Sequence, residues 1–117
     1  MPDKTAASTL TLEIERKDNE AVVTCHGKLV AYGCGTLYST VYPLIGEYKR
    51  IVLDLTDLAY MDSMGIGTLV RLYVSAKSRG CELPLINLGK RVRELLGLTH
   101  LLTVFTVIGE HGNMMKF

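Results

Sequence analysis

Between Met61 and Thr68 the chain reads Asp62-Ser63-Met64-Gly65-Ile66-Gly67, a carboxylate and a hydroxyl side by side, followed by two glycines. A helical stripe begins inside this segment. Ile66, Leu69, Val70, Tyr73, Val74 and the Lys77 stem recur at i, i+3, i+4, i+7, i+8 and i+11. The first N–H groups of such a helix have no partner within it, so its start is electropositive and receives anions. Asp62 or Ser63 can cap it. A phosphoryl group on Ser63 would lie where these amides stabilise it, and it would add roughly −1.5 to −2 charges to an exposed helix end. A docked partner would then meet a dianion beside Asp62, so association would weaken while the fold survived. Gly65 and Gly67 each cost about 0.8–1 kcal/mol of helix propensity relative to alanine. Close approach by another backbone or by a partner is the usual compensation. Taken alone, an Asp-Ser pair before a helix is more often simply its cap.

The elements that must hold this turn in place follow from hydrophobic spacing. Leu10, Leu12 and Ile14 alternate with Thr11, Glu13 and Glu15, the period of a half-buried strand. Asp18-Asn19 makes a turn, and Ala21 to Cys25 reads as the returning strand of a hairpin, ended or bent by Gly27. Leu37, Val41, Leu44, Ile45 and Tyr48 form a helical stripe that Thr36 could cap, with Pro43 expected to bend or interrupt it. Ile51-Val52-Leu53-Asp54-Leu55 suits a central strand covered on both faces, and Thr56 to Asp62 reads as its connection to the Ser63 helix. That helix ends at Gly80 in the C′ position, with Lys77 and Arg79 near the negative end of its dipole. A short strand over Leu83 to Leu88, a short helix over Lys90 to Leu96 stopped by Gly97, and a last strand over Leu102 to Ile108 complete the order β-β-α-β-α-β-α-β. This is an α/β domain with a mixed sheet of about four to five strands and helices packed on it. Residues 1–9 read as a flexible tail and residues 10–117 as one domain. The pattern leaves the packing of Met114, Met115 and Phe117 undecided.

Val52-Leu53-Asp54-Leu55 followed by Leu58-Ala59-Tyr60-Met61-Asp62-Ser63-Met64-Gly65-Ile66-Gly67 resembles the hallmark segment of STAS domains of the anti-sigma-factor antagonist type. In that family a V-L-D-L strand leads into a D-S-x-G-[LI]-G turn and helix. Lys90 to Leu98 and Leu102 to Phe105 also resemble the family's short helix and closing strand, so the likeness runs in order from about Leu10 to Val107. The resemblance implies a STAS fold and a protein-binding switch without enzymatic activity of its own. It implies that Ser63 is the phosphorylation target of an anti-sigma factor that is also a serine kinase, with a serine phosphatase resetting the switch. It also implies that Asp62, Ser63, Met64, Gly65, Ile66 and Gly67 form the partner-binding surface, together with Lys28 in the Gly27-Lys28-Leu29-Val30 segment. Family members often carry an acidic residue after that glycine; here Lys28 stands in its place.

Other chemistries fit less well. With 13 basic and 12 acidic residues the formal charge is +1, which gives no general attraction to nucleic acid or anionic membrane. The first ten residues lack a signal-peptide pattern and no apolar run approaches the roughly 20 residues of a membrane helix, so a cytoplasmic location is expected. Three cysteines, Cys25, Cys34 and Cys81, show neither C-x-x-C spacing nor a zinc pattern, and no metal or cofactor is expected. Cys25, in an apolar run, reads as a core residue. A phosphoaspartate receiver using Asp54 would need an acidic pair after the first strand and a late lysine, so Asp54 is read as structural. Gly33-Cys34-Gly35 lacks the full dinucleotide fingerprint. His26, His100 and His111 are scattered, and Lys90, Arg91 and Arg93 read as a solvated helix face. A second functional reading keeps the fold but makes it an accessory module for a small molecule or lipid, motivated by Tyr32, Tyr38 and Tyr42; as residues, these are expected half-buried on a helix.

Overall fold

The computed structural model describes residues 10–98, 107–108 and 114–115. Strand β1 (Leu10–Arg16) pairs antiparallel with β2 (Glu20–Leu29), placing Leu12 opposite Cys25 and Ile14 opposite Val23. Along β2, Ala21, Val23 and Cys25 are buried while Val22, Thr24 and His26 are half-buried, as a pleated strand with one core face requires. Helix α1 (Ala31–Ile45) leads to β3 (Arg50–Met61), parallel to β2. Helix α2 (Ser63–Ser78) leads to β4 (Leu85–Ile86), parallel to β3, and α3 (Lys90–Leu98) follows. Two further short strands, β5 (Val107–Ile108) and β6 (Met114–Met115), extend the sheet beyond β4 in the order β1-β2-β3-β4-β5-β6. The expected mixed α/β sheet is therefore present.

The parallel crossovers β2-α1-β3 and β3-α2-β4 step the same way across the sheet, so right-handed connections bring α1 and α2 to one face. Their buried faces meet there, and on α2 that face is rotated from the spacing-based stripe, sharing only Leu69 with it. Leu37, Val41, Leu44 and Ile45 of α1 and Leu69, Leu72 and Ala76 of α2 join Val23, Ile51, Leu53, Leu55 and Leu85 in one core, with Val92 and Leu96 of α3. Cys25, Cys34 and Cys81 are buried free thiols, and burial pushes the Cys25 thiol up to about 12, with Asp54 adding to the effect.

Several boundaries differ from the spacing-based expectation. Helix α1 starts at Ala31 with Val30 at its N-cap rather than at Thr36. Gly33 permits this: a Cβ there would lie 2.9 Å from the Leu10 Cβ, so only glycine lets the helix start pack onto β1. The helix runs through Pro43, which falls in its last turn, and ends at Ile45. Strand β2 continues past Gly27 to Leu29, and β3 continues to Met61 instead of yielding to a loop at Thr56. Register shifts between Thr24 and His26 and between Gly27 and Lys28 make this possible, with Gly27 at φ 102. Helix α3 carries through Gly97 to Leu98, and β4 holds only Leu85 and Ile86 of the expected Leu83 to Leu88. The expected tail over residues 1–9 and the start of the last strand, residues 102–106, lie outside the described residues.

At the end of α2 the expected cap is found. Gly80 has φ +72, its N–H donates to the Lys77 carbonyl (3.3 Å), and the Cys81 N–H donates to the Ala76 carbonyl (2.9 Å). These two bonds form a Schellman motif.

Candidate functional site

The Ser63 turn is built where β3 ends and α2 begins, and it is fastened to the neighbouring strand. Asp62 is the N-cap: its carboxylate accepts the Gly65 N–H at 3.0 Å, and its carbonyl accepts the Ile66 N–H at 3.0 Å. Its own N–H donates to the Leu29 carbonyl at 3.2 Å, tying the helix start to the end of β2. Gly65 is buried against the same place. A Cβ at Gly65 would strike the Leu29 carbonyl oxygen and lie 3.1 Å from the Met61 Cβ. Gly67 has nothing within 4 Å of a Cβ position and is exposed. The two glycines that look alike in sequence thus divide the compensations: Gly65 meets backbone inside the fold, and Gly67 opens onto solvent.

Ser63 is exposed at the first helical position, and since Asp62 makes the cap, the Ser63 hydroxyl is not consumed by it. The N–H groups of Ser63 and Met64 precede the first possible intrahelical bond, which is the one donated by Ile66. Met64 is 58% exposed, Ile66 is half-buried, and Thr68 is buried with its hydroxyl donating to the Met64 carbonyl at 2.9 Å. The surface around the hydroxyl therefore combines a flexible apolar side chain, a bare glycine and a rigid helix start.

Lys28 reaches this end of the molecule through its neighbour Leu29. It is exposed and pairs in register with Tyr60, two residues before Asp62. The Arg91 guanidinium lies 5.4 Å from the centroid of the Tyr60 ring. Tyr60 belongs to the segment already singled out in sequence, whereas Leu29 and Arg91 are site neighbours that spacing does not identify: the β2–β3 register brings in Leu29, and the contact with the Tyr60 ring brings in Arg91 from α3. Arg91, read as part of a solvated face, is exposed but ring-stacked.

Asp54 has the structural role expected of it. Its Oδ1 accepts from the Thr56 N–H (3.0 Å), the Thr56 hydroxyl (2.6 Å) and the Asn87 amide (3.2 Å), which stitches β3 to the segment after β4. Tyr38 is half-buried and Tyr42 is 40% exposed; the Tyr32 side chain lies outside what is described. Among the described residues no group of three or more His, Cys, Asp or Glu side chains is placed to hold a metal ion, and no helix is long and apolar enough to cross a membrane.

This arrangement, a parallel crossover sheet presenting a serine at a glycine-bearing helix start, defines a STAS domain, and the STAS family model matches residues 11–113. The chain belongs to that family. Among relatives, the anti-sigma-B factor antagonist of Listeria monocytogenes is 29% identical over 108 residues, covering 90% of this chain and 94% of the relative. The anti-sigma-B factor antagonist of Bacillus subtilis is 26% identical over 98 residues, covering 84% of this chain and 90% of the relative. Among solved structures, the Bacillus cell fate determinant SpoIIAA in its phosphorylated form matches with a TM-score of 0.69 at 17% identity, over 86% of this chain and 94% of that one. This last likeness speaks to the fold alone.

Proposed function

We propose that this protein is an anti-sigma factor antagonist that binds an anti-sigma factor/serine kinase through the Ser63 turn and is released when Ser63 is phosphorylated. The observation that carries the reading is the division of labour at the start of α2: Asp62 caps the helix, and Ser63 is left exposed with its hydroxyl available. The names of the relatives support the antagonist role.

The physics of release follows from the site. In the unmodified protein, Met64 and the bare Gly67 offer a partner apolar contact and close backbone approach. A phosphoryl group on Ser63 introduces a dianion beside the Asp62 carboxylate, and a docked partner would have to desolvate both. Moving a complex from 99:1 to 1:99 takes about 5.5 kcal/mol of differential affinity, which a buried phosphate–carboxylate clash can reach. The partner supplies ATP and magnesium, and a serine phosphatase resets the switch. Lys28 puts a positive charge on the flank where the family pattern implies an acidic residue, which selects a partner of altered charge there.

The test is intact-mass analysis after incubation with ATP, magnesium and candidate kinases from the same genome. One added phosphate on the parent and none on Ser63→Ala is the expected result; no addition with any candidate overturns the phosphoswitch. In binding assays Ser63→Ala should hold the partner constitutively and Ser63→Asp should release it. Equal affinity for the two would remove the proposed mechanism.

A further inference from the structure

The outer faces of α1 and α2 carry charge of a single sign. Residues 31–45 hold no charged side chain, and residues 63–79 hold only Arg71, Lys77 and Arg79. Two of these cations are backed by aromatic rings from the neighbouring helix. The Arg71 guanidinium lies 4.3 Å from the Tyr38 ring centroid, Tyr38 stacks on Tyr42 with centroids 5.3 Å apart and planes inclined by 19°, and the Arg79 guanidinium lies 5.9 Å from the Tyr42 centroid. Among the described residues no carboxylate forms an ion pair with Arg71, Lys77 or Arg79. The acids that follow α1 and α2 in the chain, Glu47 and Glu82, are engaged by Arg16 (3.5 Å) and Arg50 (2.9 Å). Val74, one turn beyond Arg71, is 58% exposed.

A guanidinium is planar by delocalisation, and a ring beneath it restricts where that plane can turn, so the fork is partly pre-organised for bidentate capture of a carboxylate. Arg71 and Arg79 are eight residues apart, roughly 12 Å along the helix. Carboxylates two turns apart on an acidic helix have the same spacing. A run of stacked tyrosines flanked by arginines is also the composition of a protein contact.

We propose that this α1–α2 face docks an acidic amphipathic helix of a partner protein, its paired carboxylates received by Arg71 and Arg79 and its apolar side chains laid on the stacked Tyr38 and Tyr42 rings between them. Three cations on a chain of formal charge +1 are few for a membrane or nucleic-acid surface, whereas two partly pre-organised forks suit carboxylates. The face begins two turns beyond Ser63 along α2, and the inference is independent of any modification there.

The experiment is an NMR titration of the full chain, observing the arginine Nε–Hε resonances. The probes are an alanine-rich helical peptide with two glutamates two turns apart and leucines between them, the same peptide with glutamines, phosphatidylglycerol vesicles and a DNA duplex. The glutamate peptide should shift the Arg71 and Arg79 resonances, with binding about tenfold or more weaker for the glutamine peptide. An Arg71→Gln/Arg79→Gln variant should lose the interaction while its other amide resonances stay in place; should that variant unfold, Arg79→Gln alone serves. Unmoved arginine resonances, equal binding of both peptides, or stronger effects from vesicles or DNA would each overturn the proposal.

Discussion

Gly65 and Gly67 lie on different sides of one helical turn and answer different demands. Replacing Gly65 by alanine drives a methyl group into the Leu29 carbonyl and the Met61 side chain, so the join between β2 and α2 must open. Overpacking of this kind costs about 1–3 kcal/mol, and the urea midpoint of Gly65→Ala should fall accordingly. Gly67→Ala meets nothing within 4 Å and should instead gain up to about 1 kcal/mol from helix propensity. The same variant should bind the partner more weakly, because the methyl stands on the surface that the bare glycine leaves open. A pair of measurements, unfolding and partner affinity, therefore separates the glycine required by packing from the one that the proposed function assigns to the interface. At this scale the sequence singled out the segment but not how the surroundings of its members differ. The D-S-x-G-I-G string is contiguous and legible, whereas the roles of Gly65, Leu29 and Tyr60 depend on a strand pairing that no local pattern records.

Helix α2 was the most legible element in its extent, because its start and its Gly80 stop agree. Its buried face of Gly65, Thr68, Leu69, Leu72 and Ala76 is nevertheless rotated from the expected stripe, which leaves Val74 58% exposed. Gly80 sits at φ +72, a conformation that costs a side-chain-bearing residue roughly 1–2 kcal/mol. Gly80→Ala should lower stability by about that amount in chemical denaturation while leaving the Ser63 turn, at the opposite end of the helix, able to bind. Helix α1 was legible only in its second half. Its glycines at 33 and 35 argued locally for a loop, and packing of Gly33 against Leu10 overrode that preference. The length of β3 was hidden for a related reason. Thr56 to Tyr60 breaks the apolar run of the preceding residues, and the two register shifts that keep it paired with β2 arise from tertiary geometry.

Across the whole molecule, His26 links three strands. Its Nε2 lies 3.1 Å from Glu13 on β1 and its Nδ1 lies 2.7 Å from Asp57 on β3. The hydrogen bond to Glu13, with that to Asp57 adding to it, holds the imidazolium above the ordinary histidine value. A raised folded value means that the bridge contributes fully below the unfolded value of about 6.5 and is lost as pH climbs through the folded one. Urea midpoints of the parent and of His26→Gln should therefore differ most in mildly acid solution and converge as the solution becomes alkaline. A difference that grew with pH would contradict this assignment.

Strand β1 lies at the end of the strand order, so one side of its backbone is left without a partner strand from the described sheet. An unpaired row of amides and carbonyls is a template on which another molecule can add, and nature commonly blunts it with charge. Here Glu13, Glu15 and Arg16 stand exposed along that border, and Ile14, 36% exposed, is hemmed between two acids. Like-charge repulsion between their carboxylates should oppose the joining of two such edges. Valine at both Glu13 and Glu15 would yield a protein that folds yet thickens into strand-joined oligomers, seen as light scattering that rises with time and concentration.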